Sequence, residues 1–141
     1  MESLKKVDIT DQDAVLNGLI ELAERDGRVA VLWLYGSRAV GEAQANSDFD
    51  LAVAFTMPEG SAWEQGLRPE ALALDWAAAL NLPSSQISVV DINRAPIHLA
   101  VSIMRADRAL HIKDPLRLAR EENRISSIWD IDHAYEKRRA G

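Results

Sequence analysis

Two aspartates one residue apart, Asp48 and Asp50, open the apolar run FDLAVAF, and ten residues separate Asp48 from a Gly36-Ser37 pair that closes another apolar run, VAVLWLY. On a strand, positions two apart leave the same face about 7 Å from one another. Two such carboxylates repel and call for a compensating cation, and their hard oxygens suit magnesium shared with substrate phosphates. The alternative is structural: Asp48 caps a turn after Asn46 and Ser47 while Asp50 pairs with a surface arginine. Gly36 allows close approach of the backbone to a ligand, and Ser37 at a strand-to-helix turn offers its hydroxyl and helix-start amides to an anion. Arg38 adds a fixed positive charge. Together the two half-sites are suited to the opposite ends of one nucleoside triphosphate, with phosphate oxygens on the Ser37 turn and magnesium bridging to Asp48 and Asp50. That is phosphoryl-type chemistry, achieved by positioning and charge neutralisation.

The elements that must position these groups follow from pattern. Val15, Leu16, Leu19, Ile20 and Ala23 recur at helical spacing and predict a helix from about Asp11 to Asp26, capped by Thr10 with Asp13 in its first turn and stopped by Gly27. Val29–Tyr35 is continuous and β-rich, as in a strand buried on both faces. RAVGEA allows a short helix after it. A second strand spans Phe49–Phe55 and ends where Pro58 and Gly60 break the pattern. Pro69–Leu80 reads as a helix with Pro69 in its first turn. Gln86–Ile92 is a third strand, a helix opened by Pro96 follows, ALHI is a fourth strand, and a long charged amphipathic helix starts near residue 115. The alternation predicts an α/β (α+β) layer structure, a small mixed sheet flanked by helices, with its site at the strand ends.

The 141 residues suit a single domain, 1–141, and 48% hydrophobic with 27% charged residues is a globular composition. No cysteine is present, which excludes disulfides, zinc-thiolate sites and thiol nucleophiles. Neither a signal peptide nor a membrane-length apolar run is visible, so a soluble, cytoplasmic protein without membrane partners is expected. The formal charge of −6 has the wrong sign for a nucleic-acid binder. The basic EKRRAG terminus reads as a solvated tail. His98, His111 and His133 are scattered without metal-site spacing, and surface or structural roles are expected of them. Trp63 is assigned to packing, with stacking on a base or a partner as its alternative; Trp76 and Trp129 are assigned to the core, and Tyr135 to a half-buried helix position, with self-modification as its alternative.

Gly36-Ser37, ten residues, then Asp48-Phe49-Asp50 resembles the GS-x10-D-x-D signature of the polymerase β-like nucleotidyltransferase superfamily. The small size is similar to that of the minimal nucleotidyltransferase (MNT) antitoxins found beside HEPN toxins, the MntA and HepT type. The resemblance implies a polymerase β-like fold and an Mg2+-dependent protein adenylyltransferase, a type VII-like antitoxin. It further implies that AMP passes from ATP to a tyrosine of a cognate HEPN toxin and silences it. Gly36, Ser37 and Arg38 would then bind the nucleotide, and Asp48 and Asp50 the metal. In relatives a third carboxylate on the next strand deprotonates the acceptor. Ser88 stands where that acid often does, and Asp91, three residues on, points to the opposite face of a regular strand.

Three outcomes follow for the base. Asp91 is expected as the third catalytic and metal-binding carboxylate, reaching the site through a bulge or the strand's end; the alternatives are an enzyme that works with two carboxylates, or weakened catalysis. The competing functional reading is an antitoxin of the same fold that captures its toxin without chemistry. Small-molecule adenylylation would call for an acceptor domain that this length does not supply, and RNA tailing is disfavoured by the acidic charge. The C-terminal helix offers a face to a partner or to a second copy in a homo- or hetero-oligomer.

Overall fold

The computed structural model describes residues 11–56 and 60–140, with the backbone alone from 132 onward. The proposed Thr10 cap, the Pro58 break and the side chains of His133, Tyr135 and the EKRRAG terminus lie outside the described residues.

Helix α1 (Gln12–Arg25) begins at Asp11, whose carboxylate accepts from Ala14 N at 3.1 Å, so Asp11 caps the free amides. Strands β1 (Val29–Tyr35) and β2 (Phe49–Phe55) have the expected spans. They are followed by α2 (Ala62–Ala79), β3 (Ile87–Asp91), α3 (Ile97–Ala106), β4 (Ala109–Ile112) and α4 (Pro115–Ala140). The sheet order is β3-β2-β1-β4, with β1 antiparallel to both neighbours and β2 parallel to β3. The parallel pair requires a crossover, and α2 supplies it.

Alternation along the strands builds two cores. Leu32, Leu34, Leu51, Val53 and Phe55 point to α1 and α2, while Val31, Trp33, Ala52 and Ala54 point to α3 and Ile125 of α4. Both strands are therefore buried on both sides, which is why they read as unbroken apolar runs.

Three sequence expectations are corrected. Residues 37–41 form turns and no helix follows β1; the chain closes through Ala39 N to Gly36 O and Glu42 N to Ser37 O, both at 3.0 Å. Helix α2 begins about two turns before Pro69, because Ser61 accepts from Glu64 N at 3.2 Å and nucleates the helix as an N-cap. Pro69 thus lies inside the helix, at the cost of one i−4 bond to the Gln65 carbonyl. Trp63, expected to pack, stands on the first turn of α2 and is 76% exposed. Trp76 is core as expected, and its indole donates to Asp26 at 3.1 Å.

Candidate nucleotide and metal site

The antiparallel register pairs Tyr35 with Asp50, so the exit of β1 and the entry of β2 lie side by side. Gly36 follows at φ +72°, a left-handed conformation that glycine adopts freely. A Cβ at Gly36 would fall on Asp50 Oδ2, with the Asp50 Cγ only 3.2 Å away. Position 36 therefore favours glycine for its backbone angle, and a Cβ there would also push the Asp50 carboxylate aside. Ser37 is half-buried in the turn that follows.

Arg38 has a different place from the one expected. Its side chain is buried, with Nε and Nη2 donating to Ser47 O at 2.9 and 2.7 Å, Nη2 to Ala45 O at 3.2 Å and Nη1 to Gln12 Oε1 at 3.2 Å. The guanidinium also lies 3.9 Å over the Phe49 ring. Burial lowers its pKa against the opposing pull of Asp48. This arginine buckles the 42–48 loop to the core and so sets where Asp48 stands; its donors are committed to that loop and to Gln12 of α1. Ser47 reinforces the buckle, its hydroxyl accepting from Gln44 N at 2.9 Å.

Asp48 is exposed just before β2, and Asp50 is half-buried on the α3 and α4 side of the sheet. Burial, then repulsion from Asp48, pushes the Asp50 carboxyl above the usual carboxylate range. At the roughly 7 Å of an i, i+2 spacing and an effective dielectric near 20, that repulsion is about 2 kcal/mol. Tyr35 is pushed up too, by burial and by Asp50. Neither aspartate accepts a hydrogen bond among the described residues. Two oxygen donors with no internal partner, one of them resisting ionisation, fit a divalent cation that completes its shell with substrate oxygens and water.

Asp91 is not brought to this pair. The β2–β3 ladder is regular, matching Asp50 with Ser88 and Val53 with Asp91. Asp91 lies on the opposite face, about 10 Å further along the sheet, and its Oδ1 accepts from Asn93 N at 2.9 Å. No bulge rescues it. Among the described residues no group of three histidines, cysteines or acids converges on a metal position.

A cleft of about 560 Å³ opens beside the Gly36-Ser37 turn, and α3 lines its other wall with His98, Ser102 and Arg105. The His98 ring meets Trp129 of α4 edge-on at 5.3 Å, and the Arg105 guanidinium lies 5.5 Å from that indole. Trp129 packs on the core as expected and also walls the cleft. Arg105 lines the cleft across from the Ser37 turn, and Arg108 Nη1 donates to Ala39 O at 3.5 Å within that turn. Spacing of i, i+4, i+7 puts His98, Ser102 and Arg105 on one stripe of an otherwise apolar helix, a signal legible in the sequence.

A small mixed sheet with a Gly-Ser turn interlocked with paired carboxylates defines a nucleotide-handling class of fold. The sequence profile described as polymerase beta, nucleotidyltransferase, matches residues 17–116, and the chain belongs to that family. No curated protein sequence is a match. Among solved structures, a chain of a toxin–antitoxin complex with AMP-PNP superposes at TM-score 0.63 and 21% identity, over 89% of this chain and 93% of that one. A chain of the complex of tri-AMPylated Shewanella oneidensis HEPN toxin with MNT antitoxin gives 0.59 and 19%, over 92% and 93%. A minimal nucleotidyltransferase is 28% identical at TM-score 0.50, over 75% of this chain and 97% of that one. The shared architecture is the polymerase β-like nucleotidyltransferase fold.

Proposed function

We propose that this protein is an MNT antitoxin that transfers AMP from ATP to a tyrosine hydroxyl of a cognate HEPN toxin. The observation that carries the reading is the interlock of Gly36 with Asp50, which joins the phosphate-binding turn to the carboxylates with no room for a side chain between them. It is supported by the family and by the neighbouring folds, one of them a complex with AMP-PNP and another a complex containing an AMPylated HEPN toxin.

In this reading Ser37 and the turn amides bind the triphosphate, and Arg105 faces its charge from α3. Asp48 and Asp50 hold magnesium, which when bound neutralises phosphate charge and favours pyrophosphate as leaving group. The tyrosine oxygen attacks the α-phosphorus, the bond to the pyrophosphate oxygen breaks, and the tyrosine proton passes to solvent at the open cleft. Arg38 acts through the loop it buckles and is a positioning residue. With Ser88 opposite Asp50, no third carboxylate among the described residues converges on the pair to take the proton. General-base assistance is worth about 10²–10⁴-fold, so slow turnover is expected.

That same serine favours the second reading, an antitoxin that neutralises by capture alone. Incubation with MgATP and the HEPN partner, followed by peptide mass spectrometry, separates the two. AMP on a partner tyrosine with wild type and none with the Asp48→Ala/Asp50→Ala variant supports transfer. A tight, unmodified complex with both proteins supports capture.

A further inference from the structure

At the far end of β2 from Asp50, about 17 Å along the strand, a second cleft of about 430 Å³ gathers arginines from separate parts of the chain. Arg68 comes from α2, Arg94 from the turn after β3, and Arg117 and Arg120 from α4. Two carboxylates, Asp91 and Glu121, share the cleft, Glu121 bound to two arginines and Asp91 accepting on one oxygen only among the described residues. Asp91 takes the Asn93 amide. Glu121 accepts from Asn93 Nδ2 at 2.8 Å, Arg117 Nε at 2.9 Å and Arg124 Nη2 at 2.8 Å. Burial pushes its pKa up, but these bonds outweigh that and hold it below the ordinary range.

Arg117 is the floor of the cleft, its remaining nitrogens donating to Phe55 O at 2.7 Å and Asn93 Oδ1 at 2.6 Å. Arg94 and Arg120 are different. Both are exposed, and neither guanidinium has a hydrogen-bond or ion-pair partner among the described residues. Arg68 stacks its guanidinium 4.7 Å over the Phe55 ring and makes one long bond, Nη1 to Thr56 O at 3.4 Å, while its buried Nε has no hydrogen-bond partner among the described residues. A buried donor left unpaired is costly, and a small pivot of the guanidinium toward an anion relieves it. Gly66 leaves room for this arrangement, since a Cβ there would stand 3.4 Å from Arg94 Nη2.

Guanidiniums that repel one another in a chain of net charge −6 are expected to disperse onto surface acids. Here three elements hold them together with spare donors. We propose that this cleft is a second anion site, separate from the nucleotide cleft, and that it takes a small phosphate-bearing molecule. Arg94, Arg120 and a pivoted Arg68 grip the phosphate oxygens in the fork geometry that guanidinium and phosphate share. Thr56 and Gln65 supply neutral polar contacts at the rim.

The test is an amide NMR titration of the full chain with sodium pyrophosphate at constant ionic strength, in EDTA so that the metal-dependent site stays silent. Saturable shifts are expected at Thr56, Gln65, Asn93 and Arg94, with affinity at least tenfold weaker in Arg94→Ala/Arg120→Ala. Both positions are exposed, so the variant's remaining spectrum is expected to superpose on wild type. Orthophosphate shifting the same amides more weakly identifies free phosphate groups as the chemistry read. Citrate binding as tightly as pyrophosphate overturns a phosphate site in favour of a general charge effect. Shifts confined to Gly36 and Ser37, no saturable shifts, or unchanged affinity in the double variant overturns the proposal, and none of these outcomes bears on the transfer reaction.

Discussion

The interlock of Gly36 and Asp50 can be isolated because the molecule carries its own control. Gly36 and Gly41 bracket the same turn at φ +72° and +76°, yet a Cβ at Gly41 has nothing within 4 Å. Alanine at either position incurs the left-handed backbone cost, about 1–2 kcal/mol. Only at position 36 does it also displace a carboxylate, and forcing that contact apart adds about 1–3 kcal/mol. Urea unfolding in EDTA is therefore expected to show Gly36→Ala less stable than Gly41→Ala by that second amount. In an Asp50→Ala background the displaced group is gone, and the excess is expected to shrink to within about 0.5 kcal/mol. AMP transfer follows the same logic, lost in Gly36→Ala and largely kept in Gly41→Ala. Equal losses at the two glycines, or an excess that persists without Asp50, would refute the interlock.

Three further outcomes follow. Arg38→Lys keeps the charge but loses most of the carbonyl contacts of the guanidinium, so unfolding is expected about 2–3 kcal/mol easier, with MgATP binding weakened although Arg38 touches no ligand. Asp50 has a raised folded-state pKa, so its favourable contribution is present below about pH 4 and is lost as pH rises through the folded value. Asp50→Asn is accordingly expected to be more stable than wild type at pH 7 in EDTA, with the difference closing toward pH 4, as chemical denaturation at both pH values reports. Ser88→Asp restores a carboxylate opposite Asp50 on the same face, and single-turnover transfer is expected to rise by about tenfold or more if proton removal limits the rate.

Much of this was legible before any coordinates. Val29–Tyr35 and Phe49–Phe55 are buried on both faces, and such strands write themselves as unbroken apolar runs. The Gly-Ser and Asp-x-Asp pairs stood at their ends, whereas the expectation that Asp91 joins them needed a bulge, and the β2–β3 ladder is regular. Register was not legible, because nothing local specifies that Tyr35 meets Asp50. The burial of Arg38 was not legible for a related reason: a charge beside a Gly-Ser turn suggests a phosphate ligand, and nothing local shows that its hydrogen-bond partners lie across a loop nine residues on. The Ser61 to Glu64 capping pair was readable and was outweighed by the pull of Pro69 as a helix start. The arginine cleft is assembled from α2, a turn and α4, and no window of sequence holds it.

The central claim is that Asp48 and Asp50 direct nucleotidyl transfer, and the position of the label decides it. The protein is incubated with magnesium, the HEPN partner and ATP carrying 32P at either the α or the γ position, beside the Asp48→Ala/Asp50→Ala variant. The account predicts α-label on the partner, γ-label released as pyrophosphate, and neither product with the variant. Transfer of γ-label to the partner, or α-label transferred equally by the variant, would contradict it.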